Sequence, residues 1–195
     1  MRRLTVILLA LLCCCAARAQ KIDDKFVESY TQYVPMVADL GLGLAGVEAK
    51  HNFLDRGIEA AIGGVCLVGL VDGVLKNVVS EERPDGSAFN SFPSGHTATA
   101  FLGAELVRME YGWGWGAGAY ALAASVGVMR VCHERHWWWD TLAGAGVGIL
   151  CANIGGWLLE PTRSLLGLND EKIMLAANVD PVSGALCASV RINLE

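Results

Sequence analysis

"TLAGAGVGILCANIGGWLL", residues 141–159, runs nineteen residues without a charge. A helix that crosses a bilayer needs roughly 20 consecutive, mostly apolar residues, so this stretch is close to the length of a span. Its many Gly and Ala positions favour close helix contacts, in lipid or in water. Just upstream, "GWGWGAGAYALAASVGVM", residues 112–129, is also uncharged. Apolar periodicity predicts helices over about 57–79, 95–110, 113–130 and 139–159. The first of these carries Glu59 and Asp72 and the second Glu105 and Arg108, which makes both marginal as spans and leaves a soluble helical bundle open.

The composition points the same way. The 195 residues are 53% hydrophobic, with a mean hydropathy of +0.40, whereas soluble domains average roughly 45–50% apolar residues. Such a length suits one domain with a full core. From Phe26 through Tyr30, Tyr33 and Val37, apolar residues recur every three or four positions, which predicts an amphipathic helix at a membrane surface. Val34–Val47 follows as a short apolar stretch interrupted by Asp39. The tail alternates instead: Ile173 to Val179 and Leu186 to Leu194 flank Asp180-Pro181-Val182-Ser183-Gly184, the pattern of a β-hairpin. The expected fold is all-α: a membrane-embedded bundle of about five to six helices with a short C-terminal β-hairpin.

"MRRLTVILLALLCCCAARAQ" has two arginines, an apolar run and small residues around Arg18, the layout of an export signal cut after Ala19. The expected organisation is therefore a signal over 1–19, a helical domain over 20–165 and a tail over 166–195. Cutting there removes three arginines and no acid, moving the formal charge from −5 to −8. No basic face remains for nucleic acid. Cys66, Cys132, Cys151 and Cys187 form no CxxC pair, so a zinc or thioredoxin-like site has no support. No obligatory protein partner and no cofactor is evident.

The unusual polar residues fall at helix ends. Lys76 is near the end of the first long helix and Arg83 in the loop after it; Ser94, Gly95 and His96 begin the second. Arg130 ends the third, and His133, Arg135, His136 and Asp140 lead into the fourth. Consecutive helices joined by short loops run antiparallel, so all of these groups face one end of the bundle. Three cations, two histidines and a helix N-terminus together make a site for a multiply charged oxyanion, and phosphate fits best. His133 and His136 could be imagined as a zinc pair, but no further ligand accompanies them, so no metal is expected. Trp137, Trp138 and Trp139 read as an interfacial anchor beside the site.

Lys76-(six residues)-Arg83-Pro84, Pro93-Ser94-Gly95-His96 and Arg130-(five residues)-His136-(three residues)-Asp140 resemble, in order, the three motifs of the type 2 phosphatidic acid phosphatase superfamily. The matching span, 76–140, is a third of the chain; Met129 stands where that pattern often has serine. The resemblance implies metal-free hydrolysis of a lipid phosphate or pyrophosphate: lipid A, undecaprenyl pyrophosphate, phosphatidic acid or phosphatidylglycerol phosphate. His136 would be the nucleophile, oriented by Asp140, and His96 the general acid and base. Lys76, Arg83, Arg130, Ser94 and Gly95 would bind the phosphoryl oxygens. It also implies a bacterial envelope location, with the site facing the periplasm from the inner membrane. A soluble exported acid phosphatase and a non-enzymatic binder of phosphate lipids are the competing readings.

Overall fold

The computed structural model describes residues 29–168 and, as backbone strands, 173–179 and 186–192. The expected signal segment and the hairpin turn at 180–184 lie outside the described residues. In chain order the elements are α1 (Val34–Leu44), α2 (Phe53–Val78), α3 (Gly95–Tyr111), α4 (Trp113–Cys132), α5 (Trp138–Leu166), β1 (Ile173–Val179) and β2 (Leu186–Ile192). The strands pair antiparallel, from Ile173 opposite Ile192 to Val179 opposite Leu186. β1 runs beside α1 and α2.

Several boundaries differ from the sequence expectation for identifiable reasons. The predicted amphipathic helix through Val37 is broken: a helical turn at 29–31 gives way at Gln32–Tyr33, and α1 restarts with Pro35 in its first turn. Proline is tolerated there because the first N–H groups of a helix have no intrahelical partner. α2 starts at Phe53 rather than 57, since the Asn52 side chain caps it by accepting the Asp55 N–H at 3.0 Å. α5 continues past Glu160-Pro161 to Leu166. There Arg163 donates to the Asp55 carboxylate at 2.8 Å, fastening the last turn of α5 to the first turn of α2. Gly167, at φ +67°, then ends the helix in a conformation that favours glycine.

Among the described residues, α2 and α5 are long and apolar enough to cross a membrane, by length and composition. α2 was one of the two marginal candidates, because of its acids; the other, α3, is not among these spans. Glu59 is buried inside the bundle, and Asp72, although exposed, is paired with Lys76 near the helix end that faces the rim. α4 is uncharged up to Arg130, but its Gly, Ser, Tyr and Trp content dilutes its hydropathy.

α3 is the centre of the bundle, packed by α1, α4 and α5. Leu102 and Leu106 face α2 and α5 in one apolar cluster with Leu67, Val71 and Cys151. Ala100, Ala104 and Val107 face α4 in another, with Ala119, Ala123 and Val126. The α3–α5 contact is made on glycine: a Cβ at Gly144 would stand 2.5 Å from the Ser94 carbonyl oxygen, and one at Gly148 would strike the Ala98 carbonyl. Gly155 meets α2 likewise, 2.5 Å from the Glu59 carbonyl. Backbones this close leave no room for a methyl group.

Gly148→Ala and Gly146→Ala separate packing from helix propensity, because a Cβ at Gly146 meets nothing within 4 Å. Thermal unfolding in detergent should show Gly148→Ala destabilised by about 1–3 kcal/mol through overpacking. Gly146→Ala should be neutral, or stabilised by up to about 1 kcal/mol. Equal effects at the two positions would contradict the close α3–α5 contact.

Candidate active site

The ends of α2 and α4 and the starts of α3 and α5 gather at one rim of the bundle, joined by the loops 79–94 and 133–137. The seven residues before Lys76 form a π-helical segment, Gly69–Leu75. Such segments recur at functional positions because they change which way the following side chains point. Lys76 Nζ lies 2.7 Å from Asp72 Oδ1 and close to the first residue of α3, where a Cβ on Gly95 would be 3.7 Å from it. Ser94 caps α3: its fully buried hydroxyl faces the Thr97 hydroxyl at 3.0 Å and accepts the Thr97 N–H. Its own N–H donates to the Asp140 carbonyl at 3.0 Å, tying the start of α3 to the start of α5. His96 sits two residues after Ser94, in the first turn of α3 and partly buried.

Between α4 and α5 the chain doubles back on itself. Glu134, at φ +56°, supplies a left-handed residue, and the N–H groups of Arg135 and His136 both return to the Arg130 carbonyl, at 3.0 and 3.3 Å. This turn sets the buried Arg130 beside the buried His136. The His136 ring is fixed by Nδ1, which donates to the Ser91 carbonyl at 2.8 Å. That bond selects the tautomer and leaves Nε2 with a lone pair.

Asp140 stands differently from the sequence expectation. Its Oδ2 is 3.7 Å from His136 Nδ1, too far for a hydrogen bond, and instead accepts the Ser91 hydroxyl at 2.5 Å and the Trp137 N–H at 2.9 Å. Orientation of the imidazole thus passes through Ser91. His136 precedes α5, so the spacing of four does not close a helical turn, and the Asp140 carboxylate serves the helix start. Its negative charge still lies within reach of the ring.

Electrostatics at His136 follow from this packing. Burial first, then the Arg130 guanidinium, push its pKa down from 6.5 to about 4, and Arg83 adds to the effect; the Ser91 carbonyl and Asp140 pull the other way. The ring is therefore neutral at physiological pH. Arg83 is close enough to act on His136, and its Nε is buried with no hydrogen-bond partner among the described residues. A buried donor of this kind is suited to an anionic oxygen.

The loop carrying Arg83 and Ser91 is braced by residues that lacked an obvious sequence signature. Trp137 and Trp139 stack with ring centroids 5.1 Å apart, and their indole N–H groups donate to the Glu82 carbonyl (2.9 Å) and to Glu81 Oε1 (2.8 Å). Arg135 pairs with Asp85 at 3.0 Å. Two of the three tryptophans read as an interfacial anchor thus also hold this loop. His133 is exposed at the turn, apart from the buried His136. The third tryptophan, Trp138, lines an apolar groove of about 410 Å³ with Phe101, Val128, Val131 and Leu142, between α3, α4 and α5 and reaching Thr97 near the start of α3.

Comparison with known proteins places this rim in context. The PAP2 superfamily profile matches residues 59–160, which hold all three motifs. A lipid A 1-phosphatase from Porphyromonas gingivalis is 36% identical over 138 residues, 69% of this chain and 31% of that protein. The chain thus spans about a third of the length of that relative. A second lipid A 1-phosphatase, from Helicobacter pylori, is 25% identical over 66% of this chain and 69% of its own length. The crystal structure of Aquifex aeolicus LpxE superposes with a TM-score of 0.50 at 21% identity, covering 76% of this chain and 94% of that one, so the helical fold is shared. By a profile match over more than half its length, this chain belongs to the PAP2 superfamily.

Proposed function

We propose that the chain is a membrane phosphatase that hydrolyses a lipid phosphate through a phosphohistidine at His136. The observation that carries this reading is the Nδ1 bond from His136 to the Ser91 carbonyl at 2.8 Å, which leaves a neutral Nε2 beside Arg130 and Arg83. A nucleophile with a free lone pair in an otherwise cationic pocket is arranged for attack on an anionic phosphorus.

In the first step Nε2 of His136 attacks phosphorus, and the bond from phosphorus to the lipid oxygen breaks. His96 gives its proton to that oxygen. The imidazolium character that develops on His136 is met by the Ser91 carbonyl and by the charge of Asp140 at 3.7 Å. Lys76, Arg83, Arg130, the Ser94 hydroxyl and the Gly95 N–H hold the equatorial oxygens, where the transferring group carries its charge. In the second step His96 takes a proton from water, which attacks phosphorus and breaks the P–N bond. Inorganic phosphate leaves and both histidines return to their starting states. No metal is needed for either step in this scheme.

A lipid substrate is supported by the groove and by the outer surface. The apolar groove at Trp138 and Phe101 opens beside the rim and suits an acyl chain. Trp138 and Trp157 are both exposed on α5, nineteen residues apart, or about 28 Å along the axis. That separation matches a hydrocarbon core of about 30 Å with aromatic residues at its two interfaces. Exposed Val65, Val68, Leu142, Leu150 and Leu158 on α2 and α5 supply an apolar exterior. Among lipid phosphates, the 1-phosphate of lipid A is the first choice, because the named relatives act on it.

The region 20–165 is on this reading the catalytic unit, in a bacterial inner membrane with its rim toward the periplasm. α1 spans 11 residues, a rise of about 16 Å and half the hydrocarbon core. Its Asp39 is buried against Arg56, whose guanidinium donates to the Asp39 carbonyl at 2.7 Å. The charge that made this stretch costly in lipid therefore faces protein.

Three outcomes are expected. Detergent-purified protein should release phosphate from lipid A or another lipid phosphate without added metal, and His136→Ala should lower kcat by at least about 10⁴-fold; full activity in that variant would refute the mechanism. Ser91→Ala keeps the carbonyl but removes the hydroxyl that Asp140 holds, so kcat should fall about 10–100-fold with KM little changed. An unchanged kcat would exclude Ser91 as the link. Because the His136 pKa is lowered, the nucleophile stays unprotonated down to about 4, so kcat/KM should not fall between pH 7 and pH 5. An acid limb at 6.5 would mean an unperturbed imidazole.

A further inference from the structure

At the opposite end of the bundle from the phosphate rim, three side chains that the reaction does not use converge in the interior. His51 lies just before α2, Glu59 in its second turn and Glu110 at the end of α3. One ligand atom from each lies within 4.8 Å of the others. His51 Nδ1 is 2.7 Å from Glu110 Oε1 and 3.4 Å from Glu59 Oε1. Glu110 is oriented by the His51 N–H, which donates to Oε2 at 2.9 Å, and the Lys50 N–H donates to the Glu110 carbonyl at 3.2 Å.

Glu59 is 1% exposed, and neither of its carboxylate oxygens has a hydrogen-bond partner among the described residues. A buried carboxylate without donors is strongly unfavourable unless a cation compensates it. Asp39, also buried, lies within electrostatic reach of both Glu59 and Glu110, so the neighbourhood holds three acids. Against them stand Lys50 near Glu59 and Arg56, whose guanidinium donates to the Asp39 carbonyl and the Tyr111 hydroxyl. The cluster is short of positive charge at the point where Glu59 lacks a donor.

We propose that His51, Glu59 and Glu110 bind a divalent transition-metal ion that clamps the start of α2 to the end of α3. One imidazole and two carboxylates suit zinc, manganese or iron(II) better than calcium, which takes six or more oxygens. His51 Nδ1 supplies its lone pair, with the ring proton on Nε2, and each glutamate supplies one oxygen. The fourth position takes water through the partly exposed His51. The ion is structural: the catalytic groups lie at the other end of α2 and α3, so phosphate release does not pass through it.

The test uses the full chain in detergent, stripped with a chelator and titrated with zinc alone. His136→Ala serves as the background, so that the catalytic imidazole contributes no zinc site. The proposal expects about one equivalent of zinc and a Tm several degrees higher with zinc present. Adding His51→Ala or Glu59→Gln should remove both effects, and the same substitutions in the wild-type background should retain phosphate release. Absence of zinc uptake in the parent, or uptake undiminished in both variants, would overturn the site. If Glu59→Gln raises the zinc-free Tm while the parent takes up no zinc, the buried pair shares a proton and no metal clamp exists.

Discussion

The close approach of α3 and α5 is the constraint on which the rest depends. Gly144 and Gly148 let the two backbones meet where a side chain would strike the carbonyls of Ser94 and Ala98. That contact brings the first turn of α3, with Ser94, Gly95 and His96, against the first turn of α5 and the His136 that precedes it. The Ser94 N–H to Asp140 carbonyl bond and the Ser91 hydroxyl to Asp140 carboxylate bond then join the same two helix starts. Two stretches some forty residues apart in sequence become one pocket because neither helix has bulk at the contact.

The chemistry of that pocket comes from a balance between burial and charge. A buried imidazole beside two guanidinium groups is held neutral, which is the state a nucleophile needs. In the proposed mechanism the same guanidinium groups would neutralise the oxygens of the incoming phosphoryl group, so one set of charges would both ready His136 and receive the substrate. Orientation is handed to a neutral peptide carbonyl, with Asp140 one step behind it. In the proposed mechanism this would separate the task of fixing the ring from the task of stabilising its later positive charge.

Much of the bundle was legible in the primary structure. The ranges read as 57–79, 95–110, 113–130 and 139–159 lie inside or within a residue of the observed helices, because long apolar stretches with glycine and proline at their ends have few alternatives. The placement of Lys76, Arg83, Arg130 and the two histidines on helix ends and loops at one rim was expected from antiparallel connectivity. What escaped were features set by long-range hydrogen bonds. Ser91 acts through its backbone carbonyl and a hydroxyl, and nothing about residue type distinguished it from Ser94 three positions on. The indole bonds of Trp137 and Trp139 to Glu82 and Glu81 depend on how two loops fold together. The π-helical segment before Lys76 and the break ahead of α1 are choices of local backbone that apolar periodicity does not encode.

The most direct measurement is a structure of the full chain with vanadate, which adopts the trigonal-bipyramidal shape of a phosphoryl group in transfer. The account predicts vanadium bonded to Nε2 of His136, with Nδ1 still on the Ser91 carbonyl. Lys76, Arg83, Arg130 and the Gly95 N–H should lie on the equatorial oxygens, and His96 should face the apical one. Vanadate bound through His96 or His133, or held away from this rim, would contradict it.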